Sequence, residues 1–268
     1  MTETDSRTPA RVRHNLGPAR HLKVVSKHHL SPNMIRIVLG GNDLTGFTSL
    51  GFDDHVKVFF PDPVTGEITT PVLGPDGIRQ MPEGQTVIAR DYTPRAYDRT
   101  NNHVTLDFAV HEAGPATTWA QTAKVGDDLR VGGPRGSFVI PMAFDGYILI
   151  GDDTALPAIG RRLEELPAGA KAVVLAEVEF ETDQLSFDTP ADITIHWVYR
   201  REGQTLSEAL KAIHLPSGDC YAWVACESAI AKALRTQLIR DHSIHPKWLK
   251  AAGYWRRGAV ATHDTIED

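Results

Sequence analysis

Residues 146–166 read GYILIGDDTALPAIGRRLEEL and mark the point where the pattern of the chain changes. An apolar, strand-like run leads through a turn into a segment with helical periodicity. Three more buried-type strands follow, and helical segments come after the last two; the strands are AKAVVLAEV (170–178), ADITIHWVYR (191–200) and CYAWVACES (220–228). Strands that alternate with helices predict a parallel, doubly wound sheet.

The chain before this point has a different pattern. Short, alternating, β-branched segments are separated by Gly- and Pro-rich turns, and the clearest are LKVVSKH (22–28), NMIRIVL (33–39) and HVTLDFAVHE (103–112). No long helical period occurs before about residue 116, so this half predicts an antiparallel barrel or sandwich, of which we take the barrel. We expect a mobile tail over residues 1–17, a β-barrel domain over 18–143 and an α/β domain over 144–268.

The composition excludes several classes of protein. A formal net charge of −6 argues against a general nucleic-acid binder. No apolar run has transmembrane length and the N-terminus lacks the apolar region of a signal peptide, so we expect a cytoplasmic protein without a membrane span. Cys220 and Cys226 have no CxxC or Cys/His metal spacing, which predicts reduced thiols and no protein-bound metal. We also expect a monomer.

The segment TVIARDYT, residues 86–93, alternates as a strand does and places Arg90 and Tyr92 on one face. Pro94 cannot donate to a sheet ladder, so the strand should end before it. An Arg and a Tyr placed in this way can pair with a phosphate and cover a flat aromatic ligand. The alternative is an ordinary strand end with a surface Arg and a half-buried Tyr.

Two predicted helix starts offer backbone N–H groups to an anion. In GDDTALPA, residues 151–158, Thr154 is a suitable N-cap and Pro157 fits the first helical turn, although the dinucleotide signature GxGxxG is absent. In GPATTWA, residues 114–120, the helix start can hold a pyrophosphate. The alternative in both places is an ordinary capped helix, with Trp119 in the core in the second case.

Six motifs, in this order along the chain, resemble those of the siderophore-interacting proteins: RDYT, HEAGPATTWA, GPRGSF, GDDTALPA, WVACES and GYWRRG. The members of that family are flavin-dependent ferric-siderophore reductases within the ferredoxin-reductase-like group. The resemblance covers roughly residues 18–260. It implies that FAD binds to the β-barrel and that a nicotinamide dinucleotide binds to the α/β domain.

The resemblance also implies which residues contact the FAD. Arg90 is expected to pair with the phosphates, Tyr92 to pack on the ribityl–isoalloxazine region, and Thr93 to hydrogen-bond the ring near its redox-active edge. The pyrophosphate cradle and the residues lining the same site are expected to be Gly114, Pro115, Ala116, Thr117 and Thr118, with His111 and Trp119.

For the dinucleotide, the resemblance implies contacts in GDDTALPA from Asp152, Asp153, Thr154 and Ala155. Glu227 is expected near the nicotinamide, and it follows Cys226, where the family usually has Gly. From the residues themselves, Arg200 and Arg201 follow the third parallel strand and can hold a 2′-phosphate, the alternative being a solvated basic loop. We therefore expect NADPH as the electron donor, with NADH as the other possibility.

A basic pocket for the substrate is expected from four cations that the resemblance brings to the open face of the flavin: Lys57, Arg135, Arg256 and Arg257. A ferric siderophore of the catecholate type is multiply anionic and would be attracted there. The predicted function is an NAD(P)H- and FAD-dependent reductase that converts the Fe(III) of a siderophore to Fe(II) and releases the iron inside the cell. Two alternatives stay open: a flavin or ferredoxin-type reductase with another acceptor, and a carrier without turnover.

Overall fold

A computed structural model describes residues 6–73, 79–110, 114–258 and 264–266. The chain divides into two compact units. The β unit comprises Pro9–Val139, and the α/β unit comprises Ile140–Asp268 together with the described residues before Pro9. This division falls between Val139 and Ile140, whereas the sequence suggested a boundary between residues 143 and 144.

The β unit is built around an antiparallel sheet. Its described elements are β1 (Ala10–Arg13), β2 (Arg20–Ser31), β3 (Met34–Gly40), β4 (Val56–Phe60), β5 (Val72–Leu73), β6 (Arg79–Gln80), β7 (Ile88–Tyr92), β8 (Ala96–Asp98), β9 (His103–Ala109), α1 (Pro115–Thr122), β10 (Asp128–Gly132) and β11 (Gly136–Val139). Seven strands form a half-barrel in the order β7-β4-β10-β2-β3-β9-β8, with every neighbouring pair antiparallel. Two further antiparallel pairs join β1 to β11 and β5 to β6.

Alternating apolar residues of the seven-stranded sheet form the core of the β unit. In β3 and β9, Ile35, Ile37, Val104 and Leu106 are completely buried. The helix α1 packs against β3, β4, β7 and β9, and its Trp119 belongs to the same core. The period-two alternation read from the sequence therefore identified the buried faces of these strands, and the predicted antiparallel fold of this half is confirmed.

The α/β unit is a parallel sheet with helices after its strands. Its described elements are β12 (Gly146–Asp152), α2 (Leu156–Glu165), β13 (Lys171–Val178), β14 (Asp192–Tyr199), α3 (Leu206–Ala212), β15 (Cys220–Glu227), α4 (Ser228–His242), β16 (Leu249–Trp255) and β17 (Asp264–Ile266). The sheet order is β14-β13-β12-β15-β16-β17, and only the last pair is antiparallel in the described part of this sheet. The predicted doubly wound parallel sheet is confirmed.

This strand order creates a switch point beside β12. From β12 the chain moves to β13 and β14 on one side, and it then returns to β15 and β16 on the other side. Ligands of such sheets bind outside the carboxyl ends of the strands at this reversal. The two strands concerned are β12 and β15, which end at Asp152 and Glu227.

Strand β1 lies where we expected a mobile tail. Ala10 pairs with Val139 and Arg13 pairs with Gly136, so this part of the N-terminal segment is held by the β unit. The two backbones approach closely, since a Cβ atom added to Gly136 would lie 2.5 Å from the carbonyl oxygen of Val12. Glycine at this position therefore permits the pairing, and a larger residue would push the strands apart.

Both cysteines are buried free thiols, Cys220 and Cys226. Burial raises the pKa of each thiol, so both stay protonated at neutral pH and are poor nucleophiles. Of the helices that the structure describes, none is both long enough and apolar enough to cross a membrane.

Candidate functional site

The RDYT motif lies at the end of β7, which is an edge strand of the seven-stranded sheet. The register with β4 puts Arg90 and Tyr92 on the same face, as predicted. The strand ends at Tyr92, ahead of Pro94, and the next residue, Thr93, is buried. One strand end thus carries a guanidinium, a phenol and a hydroxyl group.

The ring of Tyr92 belongs to a series of aromatic contacts that leads to α1. Its centroid lies 4.3 Å from that of Phe108, and the Phe108 centroid lies 5.9 Å from that of Trp119. Burial raises the pKa of Tyr92, and the nearby charge of Arg90 opposes the rise only in part. The phenol therefore stays neutral and can support a flat ligand as well as donate a hydrogen bond.

Arg90 is half-buried and keeps most of its donors available. Its Nη1 donates to the backbone carbonyl of Ala89 at 2.8 Å, and none of the described carboxylates forms an ion pair with it. The neighbouring cation Lys57 does have an acidic partner, because its Nζ lies 2.7 Å from Asp91 Oδ1. At this strand end Arg90 is therefore the group suited to a phosphate.

The start of α1 is the second anion-directed feature of the β unit. Its N-cap is Gly114 in an extended conformation, Pro115 begins the helix, and within the described residues no side chain caps the helix start. Thr117 and Thr118 lie in this turn, while Ala116 and Trp119 are buried. His111, which the resemblance also assigned to the site, lies outside the described residues.

These features fit FAD. The first turn of α1 has backbone donors that no side chain of the described residues caps, Arg90 has spare donors, and Tyr92 offers an aromatic surface beside the buried Thr93. Because α1 packs against β7, the phosphate-directed groups and the ring belong to one packed part of the unit. The sequence predicted each of these groups, although not the aromatic series that connects them.

In the α/β unit, the GDDTALPA turn differs from the prediction in one respect. We expected Thr154 to be the N-cap of α2, but the N-cap is Ala155, and the helix begins at Leu156. The physical reason is that Asp152 Oδ1 accepts from both the hydroxyl and the N–H of Thr154, the latter at 3.0 Å, in a local turn. Pro157 lies in the first helical turn as predicted, and in the part of the chain that the structure describes the N-cap makes no side-chain hydrogen bond to that turn.

Four carboxylates gather at the carboxyl ends of β12 and β13, and we call them the acidic cluster: Asp152, Asp153, Glu177 and Glu179. Asp152 and Glu177 are register partners on adjacent strands. Burial raises the pKa of Glu177 to about 7, and the other three carboxylates add to the rise while Arg200 opposes it. Within the described residues, no group of three or more His, Cys, Asp and Glu side chains is arranged to hold a metal ion.

Arg200 lies inside this cluster. Its guanidinium nitrogens lie 2.9 Å from Asp153, 3.4 Å from Glu179 and 3.5 Å from Glu177. Burial by itself lowers the pKa of Arg200, but the surrounding carboxylates outweigh burial and the pKa is raised. Arg201, the other cation expected to meet a 2′-phosphate, also pairs with Glu179. The sequence did not show that both arginines already have acidic partners.

Glu227 has a structural role that we did not predict. Its Oε2 accepts from the backbone N–H groups of Ala229 at 2.7 Å and Ile230 at 3.2 Å, so it caps α4. Its Oε1 accepts from the backbone N–H of Arg257 at 3.3 Å. The side chain therefore joins the end of β15 to the segment after β16. The sequence signal was a Glu directly before the helical run SAIAKAL.

The four cations expected to bind substrate are divided between the two units. In the β unit, Lys57 pairs across the sheet with Gly132, and the exposed Arg135 follows in the next turn. In the α/β unit, Arg256 and Arg257 are exposed directly after β16. Lys57 has Asp91 as an ion-pair partner, so its charge is locally balanced.

Comparison with known proteins follows the same division of the chain. The model of the siderophore-interacting FAD-binding domain matches residues 23–138, and that of the siderophore-interacting protein matches residues 144–258. The NADPH-dependent ferric-chelate reductase of Escherichia coli (strain K12) is 36% identical over 252 residues, which cover 93% of this chain and 97% of that protein.

Two solved structures extend the comparison. A siderophore utilization protein from T. fusca has a TM-score of 0.86 at 38% identity, covering 95% of this chain and 98% of the other. Ferredoxin-NADP+ reductase from Plasmodium falciparum has a TM-score of 0.60 at 14% identity, covering 86% and 98%, and shares the fold. A half-barrel followed by a doubly wound sheet thus defines a ferredoxin-reductase-like fold. Among proteins with this fold, the chain belongs to the siderophore-interacting protein family.

Proposed function

We propose that this chain is an FAD-containing, NAD(P)H-dependent ferric-siderophore reductase. The observation that carries the proposal is the arrangement in the β unit, where Arg90, Tyr92 and the uncapped start of α1 form a donor set and a ring surface that fit FAD. Membership of the family and the ferric-chelate activity named for the Escherichia coli relative support the acceptor.

In this proposal the residues of the β unit hold and orient the flavin. Arg90 and the backbone N–H groups of Gly114, Ala116 and Thr117 at the start of α1 bind the diphosphate, since Pro115 has no N–H and that of Thr118 donates to the carbonyl of Gly114 at 2.8 Å. The Tyr92 ring packs on the flat part of the ligand, and the Thr93 hydroxyl hydrogen-bonds the ring edge. When bound, FAD supplies the redox chemistry, taking a hydride from NAD(P)H and passing electrons singly to Fe(III).

The α/β unit binds the dinucleotide at the carboxyl ends of β12 and β15. In the first turn of α2, Pro157 has no N–H and Leu156 donates to the carbonyl of Asp153 at 3.4 Å, so the N–H of Ala158 is the donor that this turn offers to a diphosphate. Asp152 fixes the turn around Thr154 by accepting from its N–H. Asp153 and Ala155, the N-cap, belong to the same turn before α2 and lie next to the proposed dinucleotide. Glu227 acts by positioning, because it holds the start of α4 and the backbone of Arg257.

The substrate we propose is an anionic ferric siderophore. We propose the catecholate type, because a ferric catecholate is multiply anionic. In the β unit the exposed Arg135 and the locally balanced Lys57 offer positive charge to such a chelate, and in the α/β unit the exposed Arg256 and Arg257 do so. A net charge of −6 does not prevent attraction by a local field. Fe(II) is a weaker partner than Fe(III) for hard oxygen ligands, so reduction releases the iron.

A donor such as NAD(P)H places the reaction in the cytoplasm, and we propose that the protein acts there as a monomer. Sedimentation velocity of the purified protein tests the oligomeric state. The location is tested by fractionating the source cells and probing each fraction for the protein.

The experiment that tests the function is an anaerobic titration of the purified, yellow protein. We expect NADH or NADPH to bleach the flavin, and added ferric siderophore to restore the oxidised spectrum while a ferrous chelator reports Fe(II). Bleaching without reoxidation by the chelate would favour a flavin or ferredoxin-type reductase with another acceptor. A protein that binds the chelate but is not bleached by either nucleotide would be a carrier.

A further inference from the structure

The end of β13 is the position that decides which dinucleotide a doubly wound sheet prefers. In this sheet β12 is the first strand and β13 the second, because the order is β14-β13-β12-β15. In sheets with the GxGxxG fingerprint, the residue that contacts the adenosine ribose lies about 20 residues further on, at the carboxyl end of the second strand. This chain lacks the fingerprint but has the same order of its first strands. An acidic residue there accepts from the ribose 2′-hydroxyl of NADH, whereas a nearby Arg accommodates the 2′-phosphate of NADPH.

This chain has both kinds of residue at that point, but they are already paired with each other. Glu177 and Glu179 lie at and just beyond the end of β13, and Arg200 follows β14, the neighbouring strand. Arg200 contacts Asp153, Glu177 and Glu179 within 3.5 Å, and Arg201 contacts Glu179. Arg200 reaches these carboxylates through Nε and one Nη, and Arg201 reaches Glu179 through Nε, so a phosphate held by their other N–H groups would lie beside the same carboxylates.

The charges at this position predict which adenosine ribose binds better, the 2′-phosphorylated ribose of NADPH or the ribose of NADH with its free 2′-hydroxyl. A 2′-phosphate is close to a dianion at neutral pH, and it would enter beside the oxygens of Glu179 and of Glu177, whose pKa of about 7 leaves it partly ionised. The ionised oxygens repel the phosphate. A ribose hydroxyl would instead donate to one of these oxygens while the ion pairs of Arg200 stay intact. The arrangement therefore favours the nucleotide without the phosphate.

We propose that Glu177 and Glu179 are specificity-determining residues that make NADH the preferred donor, with Arg200 holding the two carboxylates in place. NADPH is a poorer substrate in this proposal, unlike the donor named for the Escherichia coli relative. The proposal rests on the proposed function, because it concerns the dinucleotide site of that same reductase.

The first test uses binding probes that need no turnover. Calorimetry on the FAD-loaded protein compares 5′-AMP with adenosine 2′,5′-bisphosphate, which differ only in the 2′-phosphate. We expect the wild-type protein to bind 5′-AMP about tenfold more tightly, a difference typical of one unfavourable charge contact. Tighter binding of the bisphosphate would overturn the proposal.

The second test changes the charges one at a time. Glu179→Gln and Glu177→Gln keep the side-chain shape, and each is expected to lower the NADH/NADPH ratio of kcat/KM about tenfold and to strengthen binding of the bisphosphate. Glu181→Gln is the matched control, since Glu181 is an exposed carboxylate two residues further on. It makes the same change in net charge and should leave the ratio unchanged.

The outcomes separate this inference from the proposed function. The NADH/NADPH ratio of kcat/KM could be unchanged in both Glu177→Gln and Glu179→Gln while each variant keeps the flavin content of wild type. This result would contradict the specificity role and would leave the proposed reductase function intact. If neither nucleotide bleached the flavin and neither probe bound, the dinucleotide site itself would be absent and both proposals would fall. An equal shift in Glu181→Gln would show an effect of net charge rather than of this position.

Discussion

The indole nitrogen of Trp255 donates a hydrogen bond to Asp152 Oδ2, and the two atoms lie 2.7 Å apart. Trp255 ends β16, Asp152 ends β12, and β15 lies between these strands in the sheet. The other oxygen of the same carboxylate accepts from Thr154. One buried carboxylate therefore ties the last parallel strand to the turn that precedes α2.

Asp152→Ala should destabilise the α/β unit by about 2–3 kcal/mol, because it leaves the donors of Trp255 and Thr154 without their acceptor. Chemical unfolding followed by circular dichroism measures the loss. Trp255→Phe removes only the indole donor and should cost about 1 kcal/mol. A loss in Asp152→Ala no greater than that in Trp255→Phe would show that the Thr154 contacts contribute nothing.

The elements of the α/β unit could be predicted from the sequence because each strand is a short apolar run followed by a turn and, in most cases, a helical period. The strand order could not, and the acidic cluster follows from that order. Asp153, Glu177 and Arg200 are far apart in the sequence and meet only because parallel strands bring their carboxyl ends to one edge. In the sequence, Glu177 is a charged residue near the end of the apolar run AKAVVLAEV, and this could have indicated a functional position.

Two local predictions failed for different physical reasons. The segment Ala10–Arg13 is short and carries two arginines. Its partner strand β11 lies more than 120 residues further along the chain, so no local sequence pattern predicts the pairing. Thr154 is a good N-cap residue in isolation, but Asp152 takes its hydroxyl and its N–H group. Competition from a neighbouring side chain decides which residue becomes the N-cap in such a turn. The N-cap propensity of Thr154 alone does not show this competition.

Arg90→Ala should weaken FAD binding by about 1.5–3 kcal/mol, the range for a hydrogen bond to a charged group. Titration of the flavin-free protein with FAD, followed by flavin fluorescence, measures the change, and FMN should bind less well than FAD to the wild type. Arg99→Ala, an exposed cation in the same unit, is the control and should bind FAD normally. Full retention of FAD by Arg90→Ala would remove Arg90 from the site.

Arg135→Glu and Lys57→Glu should raise KM for an anionic ferric siderophore several-fold, with a smaller effect at high salt. The rate of flavin reduction by NAD(P)H should not change, and stopped-flow measurement of both half-reactions separates the two. Lys171→Glu is a suitable control, because Lys171 is exposed at the amino end of β13, opposite the carboxyl edge. Unchanged kinetics with the chelate in both variants would exclude the basic pocket, and slowed flavin reduction would place these residues at the nucleotide.

Glu177 predicts a specific dependence of stability on pH. Its pKa is raised from 4.5 to about 7, first by burial and then by Asp152, Asp153 and Glu179, with Arg200 opposing. Between these two values the folded protein holds a proton that the unfolded chain has released, so the free energy of unfolding falls as pH rises through this range. Glu177→Gln does not titrate and should lack this contribution.

We therefore expect the free energy of unfolding of Glu177→Gln, relative to wild type, to increase by about 1–2 kcal/mol between roughly pH 5 and pH 8, after allowance for the partial exposure of the site. Differences in packing and in uncharged hydrogen bonding between Glu177 and Gln add a term that stays nearly constant with pH, so the trend and not the absolute difference is the readout. Unfolding curves at both pH values, with FAD kept saturating, give the two differences. Glu181→Gln makes the same replacement at an exposed position outside the acidic cluster and is the control. A difference for Glu177→Gln that is the same at both pH values would mean that Glu177 is ionised throughout, and that the carboxylates around Arg200 do not compete for its charge.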